Sequence, residues 1–215
     1  GYLMVNGYIV GPDVILTNAD LTNADLTGAN LSNTDLSSAD LTGVTSGDIT
    51  GTPILPSGYL MVNGSIVGPG VDLSSADLSN ADLDGVNLSD ASLLYADLSN
   101  ADLSGATLTG ADLSDALLTG VISGNITGTP TLPSGYQMVD GYIVGPGVDL
   151  TSAILSNANL SDADLTGVIS GNITGSPTLP SGYLMANGYI VGPDFILTNA
   201  DLTNADLTGA NLSNT

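Results

Sequence analysis

The sequence predicts an all-β solenoid, and three observations carry that prediction. Leucine recurs every fifth residue in long unbroken runs, Ala or Val stands two residues before each leucine of the longest run, and turn-forming residues close most of the five-residue units. The longest run, Val71–Gly120, places its leucines at Leu73, Leu78, Leu83, Leu88, Leu93, Leu98, Leu103, Leu108, Leu113 and Leu118. A period of five suits neither regular element. On an α-helix it turns each leucine about 140° from the last, so no stripe forms. On a flat strand an odd period sends successive leucines to opposite faces.

A chain that bends once per pentad removes both difficulties. Within a pentad Ala and Leu are two apart, so a short extended piece points both inward. The Asp or Asn between them, and the Ser or Thr that follows, face outward. The last two residues of a pentad, often Gly, Asn, Asp or Ser, make the corner. Corners of one hand close a coil, and stacked coils pair their backbones at about 4.8 Å. Alanine at one of the two inward positions keeps the bore narrow enough for leucine to fill.

The unbroken tandem of A(D/N)Lxx units, such as Ala76-Asp77-Leu78-Ser79-Asn80, resembles the pentapeptide-repeat family. The resemblance covers Val14–Gly43, Val71–Gly120, Val148–Gly167 and Phe195–Thr215. It implies a right-handed parallel β-helix, four-sided, with about 20 residues per coil. The residues themselves give a closed coil without fixing its number of sides.

Between these blocks lies a second unit of constant length: Val44–Gly70, Val121–Gly147 and Val168–Asp194, 27 residues each, with Gly1–Asp13 as the second half of another copy. In each, two short apolar runs flank Asn-Gly or Asp-Gly, which signals a hairpin with a tight turn. Leu-Pro-Ser-Gly before it and Gly-Pro after it are breakers. Seven of the eight tyrosines fall in these units. The unit reads as one coil's worth of wall carrying an outward loop or hairpin, used for docking or bracing or simply tolerated. The whole chain, 1–215, reads as one continuous solenoid that grows lengthwise. A longer repeat lies above both units: Gly1–Thr34 and Gly182–Thr215 differ only at Val5/Ala186 and Val14/Phe195, 181 residues apart.

Composition excludes several functions. The only charged side chains are 22 aspartates, giving a net charge of −22, with no Lys, Arg, His, Glu or Cys. A chain without basic residues cannot neutralise phosphates, so nucleic-acid binding is not expected. The residue types that serve most often as base, nucleophile or oxyanion clamp are missing, so an enzyme with a small-molecule substrate is not expected either. Apolar runs are a few residues long, which predicts no membrane insertion. High charge often means disorder, but 42% apolar residues in strict register argue for a packed bore. The chain opens at Gly1 inside a unit and shows no capping element at either end, as expected of a piece of something longer.

Fourteen aspartates stand directly before a leucine and are predicted to face outward. Residues 20 apart would then stack, placing Asp77 over Asp97 and Asp82 over Asp102. These four are the candidate metal ligands, for loosely held Ca²⁺, because oxygen-only ligands suit a hard cation. The plainer reading, a solvated acidic face that needs no cofactor, is preferred. Asn30, Asn87, Asn159 and Asn211 take the same position and would ladder along the stack.

The expected function is structural and non-catalytic: a secreted or cell-surface rod, self-associating end to end, within an extracellular fibre or cell-envelope scaffold. A rival is an acidic protein-binding module of the DNA-mimicking, gyrase-binding type that the resemblance also implies. A third, weaker reading is an ice-binding face made of Thr17, Thr22 and Thr27.

Overall fold

The computed structural model describes residues 1–195, 197 and 199–215; Ile196 and Thr198, in the last pentad block, lie outside the described residues. The pentad determines the local structure. In Ala76–Ala81 the Leu78 carbonyl accepts the Ala81 N–H at 3.1 Å, and of the two residues between them only Asn80 has positive φ, at 58°. A turn with positive φ at its third residue alone is type II. Asn, Asp and Gly tolerate that left-handed backbone, which is why they recur at the pentad's end. Leucine and its alanine face the bore, where Leu78, Leu83, Leu88 and Leu98 are fully buried.

Four pentads bring the chain back over itself. Asp77 bridges Asp97 in parallel, Asp82 bridges Asp102, Asn87 bridges Thr107 and Asp72 bridges Ser92. Each step repeats one hydrogen-bond pattern: Leu78 N–H donates to the Asp97 carbonyl at 2.8 Å, and Asp97 N–H to the Ala76 carbonyl at 2.9 Å. The corner follows suit, with Asn80 N–H donating to the Ser99 carbonyl at 2.8 Å. Four columns of bridges thus run along the stack. One inward position departs from the apolar rule. Thr34 is fully buried, and its hydroxyl donates to the Gly11 carbonyl at 2.8 Å.

The longer units interrupt this wall with antiparallel hairpins: β1 (Leu3–Val5) with β2 (Tyr8–Val10), β3 (Leu60–Val62) with β4 (Ser65–Val67), β5 (Gln137–Val139) with β6 (Tyr142–Val144), and β7 (Leu184–Ala186) with β8 (Tyr189–Val191). They do not project outward. In the β3–β4 hairpin Met61 pairs with Ile66, and Leu60 with Val67. Met61 and Ile66 pack into the core formed by residues 10–66, whereas Leu60, Val62 and Val67 pack into the core that begins at Val67. A two-stranded ribbon that is apolar on both faces must be covered on both. It therefore lies across the bore as a septum between two coils, which corrects the outward reading.

Both ends of the septum are tied to the wall. At the tip, Gly64 accepts the Ile49 N–H at 3.0 Å from below, and Asn63 Nδ2 donates to the Ser79 carbonyl at 3.2 Å above. At the base, Tyr59 lies against Gly68 and its hydroxyl donates to the Pro69 carbonyl at 3.0 Å. A side chain on Gly68 would overlap the Tyr59 ring. The same Tyr–Gly clasp recurs at Tyr2–Gly11, Tyr136–Gly145 and Tyr183–Gly192. Around the septum the wall continues, since Thr45 bridges Asp72 and Ile122 bridges Asp149. Those two bridges sit in columns half a turn apart, because the ten pentads of Val71–Gly120 make two and a half coils. Successive septa there enter from opposite sides.

Candidate functional sites along the wall

The outward aspartates have a local job that sequence reading missed. Asp77 Oδ1 accepts the Ser79 N–H at 3.0 Å and the Ser79 hydroxyl at 2.6 Å. The same carboxylate-to-second-neighbour tie recurs at Asp25 with Thr27, Asp97 with Ser99, Asp102 with Ser104 and Asp112 with Ser114. It pins the backbone as it enters the corner, as an Asx turn does. Asn30 and Asn87 accept from Ser32 and Ser89 with Oδ1 in the same way. Hence Asp and Asn interchange at this position: the tie needs an oxygen and not a charge.

These bonds favour the ionised form. The hydroxyl and then the amide of the Ser or Thr two residues on hold Asp20, Asp35, Asp77, Asp112, Asp201 and Asp206 below the usual carboxylate range. At Asp25 the Thr27 amide contributes most and its hydroxyl second. In the opposite direction, burial and then nearby aspartates, Asp40 and Asp164, push the clasp phenols Tyr59 and Tyr136 up.

Of the four candidate metal ligands, Asp77 stacks on Asp97 and Asp82 on Asp102. Each spends one oxygen on its own corner: Asp82 Oδ1 takes the Asp84 N–H at 3.2 Å, and Asp97 and Asp102 take Ser99 and Ser104 N–H at 2.9 Å. Among the described residues no three carboxylates come together in a way that could hold a metal ion. Among them also, no helix is long and apolar enough to cross a membrane.

The four hairpins are not equivalent at their tips. Tyr8, Tyr142 and Tyr189 follow the turn in three of them, and Ser65 stands there in the fourth. The Tyr142 ring lies against Gly124, where an added Cβ would meet it at 3.0 Å, and its hydroxyl accepts the Ile154 N–H at 2.9 Å. Tyr189 lies likewise on Gly171, and the Tyr8 hydroxyl accepts the Asp20 N–H at 3.4 Å. At Ser65 the corresponding Gly47 has nothing within 4 Å. A cavity of about 290 Å³ opens there, lined by Ser46, Asp48, Asn63, Ser65, Ser74 and Asp77 among others. The signal was present in the sequence as Gly-Ser-Ile-Val against Gly-Tyr-Ile-Val, but nothing in the sequence said where that tyrosine sits. One coil above the rim, where Ser75 N–H meets the Leu94 carbonyl at 2.8 Å, stands Tyr95. It is 59% exposed and occupies a left-handed corner at φ 60°, unusual for a bulky side chain.

A family model described as pentapeptide repeats matches eight copies, over residues 13–44, 70–105, 81–120, 146–169 and 195–215. Among solved structures, a pentapeptide repeat protein (Rfr23) of the cyanobacterium Cyanothece 51142 is 30% identical over 54% of this chain, with a TM-score of 0.25; this chain spans 65% of its length. HetL of Nostoc sp. strain PCC 7120, a pentapeptide repeat protein involved in heterocyst differentiation regulation, is 29% identical over 80% of this chain and 68% of its own, with a TM-score of 0.20. QnrB1, a plasmid-mediated fluoroquinolone resistance protein, is 14% identical over 95% of this chain and 90% of its own, with a TM-score of 0.21. Superpositions this loose carry no argument about function. No curated protein matches.

Proposed function

From the premise that this chain belongs to the pentapeptide-repeat family, we propose that it is a non-catalytic structural rod. On this reading residues 1–215 form one continuous, right-handed, four-sided β-helix, crossed by the hairpins of the 27-residue units. The rod belongs to a secreted or cell-surface fibre or scaffold and extends by end-to-end association.

One observation carries the reading. Gly1–Thr34 recurs as Gly182–Thr215, 181 residues later, and several of its side-chain bonds recur with it. Asn33 Nδ2 donates to Asp13 Oδ1 at 3.0 Å and Asn214 Nδ2 to Asp194 Oδ1 at 2.9 Å. Between the two segments lie 20 pentads, a whole number of coils at four per coil, and three longer units. Each of the three returns to the column it left, through Thr45 over Asp72, Ile122 over Asp149, and Gly167 N–H on the Asp194 carbonyl. The second segment is thereby in the same rotational phase as the first, eight coils further along. A rod with that property elongates without changing the faces it shows.

The alternative, an acidic protein-binding module, is supported by the charge of −22 with no basic residue. Electron microscopy of the purified protein separates the two. Rods of constant width, with lengths in multiples of the single-chain length, support the scaffold. Uniform short particles that inhibit DNA gyrase in a supercoiling assay would support the binding module instead.

A further inference from the structure

The cavity beside Ser65 is a vacated aromatic seat. In the other hairpins the residue after the turn is a tyrosine, whose ring fills the space over a glycine (Gly124, Gly171). The phenol oxygen also has a partner in two of them: it accepts the N–H of Asp20 or of Ile154, in the coil above the hairpin. That N–H has no backbone acceptor for a topological reason. The hairpin tip holds the two coils apart on this side, so no strand below can supply a carbonyl. At the Ser65 hairpin the equivalent donor is Asp77 N–H, and among the described residues it has no acceptor. The seat is thus intact in every respect but its occupant: the glycine, the donor and the walls remain, and about 290 Å³ is open.

We propose that this cavity binds a phenol ring supplied from outside the chain, seated over Gly47 with its oxygen on Asp77 N–H. The complementarity is read from the protein itself, which builds the same seat elsewhere and fills it with tyrosine. Asp48 and Asp77 line the cavity, so a neutral phenol, or one carried on a cation, is accepted and an anionic aromatic is rejected. At neutral pH a phenol keeps its proton, its pKa being about 10, and its hydroxyl can donate to a carboxylate while its oxygen accepts from the amide. Tyr95, one coil above the rim, offers an exposed ring to whatever carries the phenol out of the cavity.

Two probes distinguish a free phenol from a tyrosine side chain of a partner: 4-methylphenol and the tripeptide Gly-Tyr-Gly. Each is titrated into the intact ¹⁵N-labelled chain while the Asp77 amide resonance is followed. The expected result is one saturable site per chain, with the Asp77 resonance among the most shifted. Binding of 4-methylphenol alone identifies a free phenol as occupant, and binding of both identifies a tyrosine side chain. Ser65→Tyr, which restores the residue of the other hairpins, should fold and weaken binding by at least about tenfold. Tyr142→Ser should create a second site and raise the stoichiometry from one to two. Absence of binding by both probes overturns the proposal, as does unchanged affinity in Ser65→Tyr or equal binding of glucose. Should Tyr142→Ser fail to fold, the Ser65→Tyr comparison still decides.

Discussion

The wall and the septa are held by different means, although both bury aliphatic side chains. In Val71–Gly120 the pentads from Val71 to Gly105 each repeat the same three bonds to the coil above, and the leucines of the block are buried. A hairpin such as Leu60–Val67 bonds chiefly to itself. It meets the wall at a few points: the tip amides, the Tyr59–Gly68 clasp and the Ser46 hydroxyl, which accepts the Ile66 N–H at 2.9 Å. The wall is periodic and its contacts are local along the axis, so damage spreads to adjacent coils. A septum is a single object whose position depends on a few specific groups. Substitutions in the two regions should therefore fail in different ways.

The largest effect is expected in the wall. Leu98 is fully buried in the middle of the longest block. Leu98→Asp forfeits about 1.5–3 kcal/mol of burial and adds several kcal/mol for an unpaired buried charge. Urea unfolding should show the block lost together with its neighbours. Ser99→Asp, one residue on and turned outward, should stay within about 0.5 kcal/mol. If the two variants unfold alike, the inward and outward assignments of the pentad are wrong.

A smaller and more confined loss is expected at the septum base. Any side chain on Gly145 meets the Tyr136 ring, whose hydroxyl donates to the Pro146 carbonyl at 2.8 Å. Gly145→Ala should cost about 1–3 kcal/mol, as overpacking does. Gly47→Ala, which enters open space, should be tolerated. Hydrogen exchange would place the damage. Protection should fall in β5–β6 and persist in Val71–Gly120 for Gly145→Ala, whereas a uniform fall along the chain would mean that septa and wall unfold as one.

How much of this was legible differs between the two regions for a physical reason. The wall could be read because Leu78, Leu83 and their kin report burial directly, and Asn80 or Gly85 reports the corner through its tolerance of positive φ. Hairpins could be read at Asn63-Gly64 and Asp140-Gly141 because the turn chemistry is local. Their path could not. A two-residue period tells which residues share a face and leaves open what covers it, and only the structure puts Met61 and Leu60 into different halves of the core. The aspartates were half legible. Their stacking followed from the coil, but the tie from Asp77 to Ser79 changes their meaning from repelling charges to corner fasteners. The seat over Gly47 was half legible too: Ser65 stands where the other hairpins have tyrosine, but the sequence does not say which space that ring fills.

The fasteners make the wall acid-sensitive with a definite sign. Asp20, Asp25, Asp35, Asp77, Asp112, Asp201 and Asp206 have lowered pKa values in the folded chain. A lowered folded pKa means that the unfolded chain binds more protons, so stability falls as pH falls. The contribution is fully present above the unfolded value of about 3.9 and is lost as pH passes down through the folded values. The melting temperature should be flat from neutral pH to about 5 and decline below about 4. Asp77→Asn keeps the oxygen that Ser79 uses while removing the titration, so it should blunt the decline. Asp77→Ala should lower the melting temperature at neutral pH as well. A melting temperature that rises on acidification would mean that relief of charge repulsion outweighs the ties.

The smallest effect concerns the stacked carboxylates as an ion site. Asp77 over Asp97 and Asp82 over Asp102 each present one oxygen per residue not engaged with the corner amide. Calcium takes six to eight oxygens, so a stacked pair leaves most of the coordination to water, and binding to such a pair is weak. Screening acts on every column at once, because no cation in the sequence balances the 22 aspartates. Added NaCl should therefore raise the melting temperature, the gain levelling off as the screening length falls towards the coil spacing. CaCl₂ at equal ionic strength should follow the same curve. A calcium curve lying above the sodium one, and lowered by Asp77→Asn or Asp102→Asn, would establish bridging at these stacks. It would also give the wall a specific ligand to set beside the one proposed for the septum.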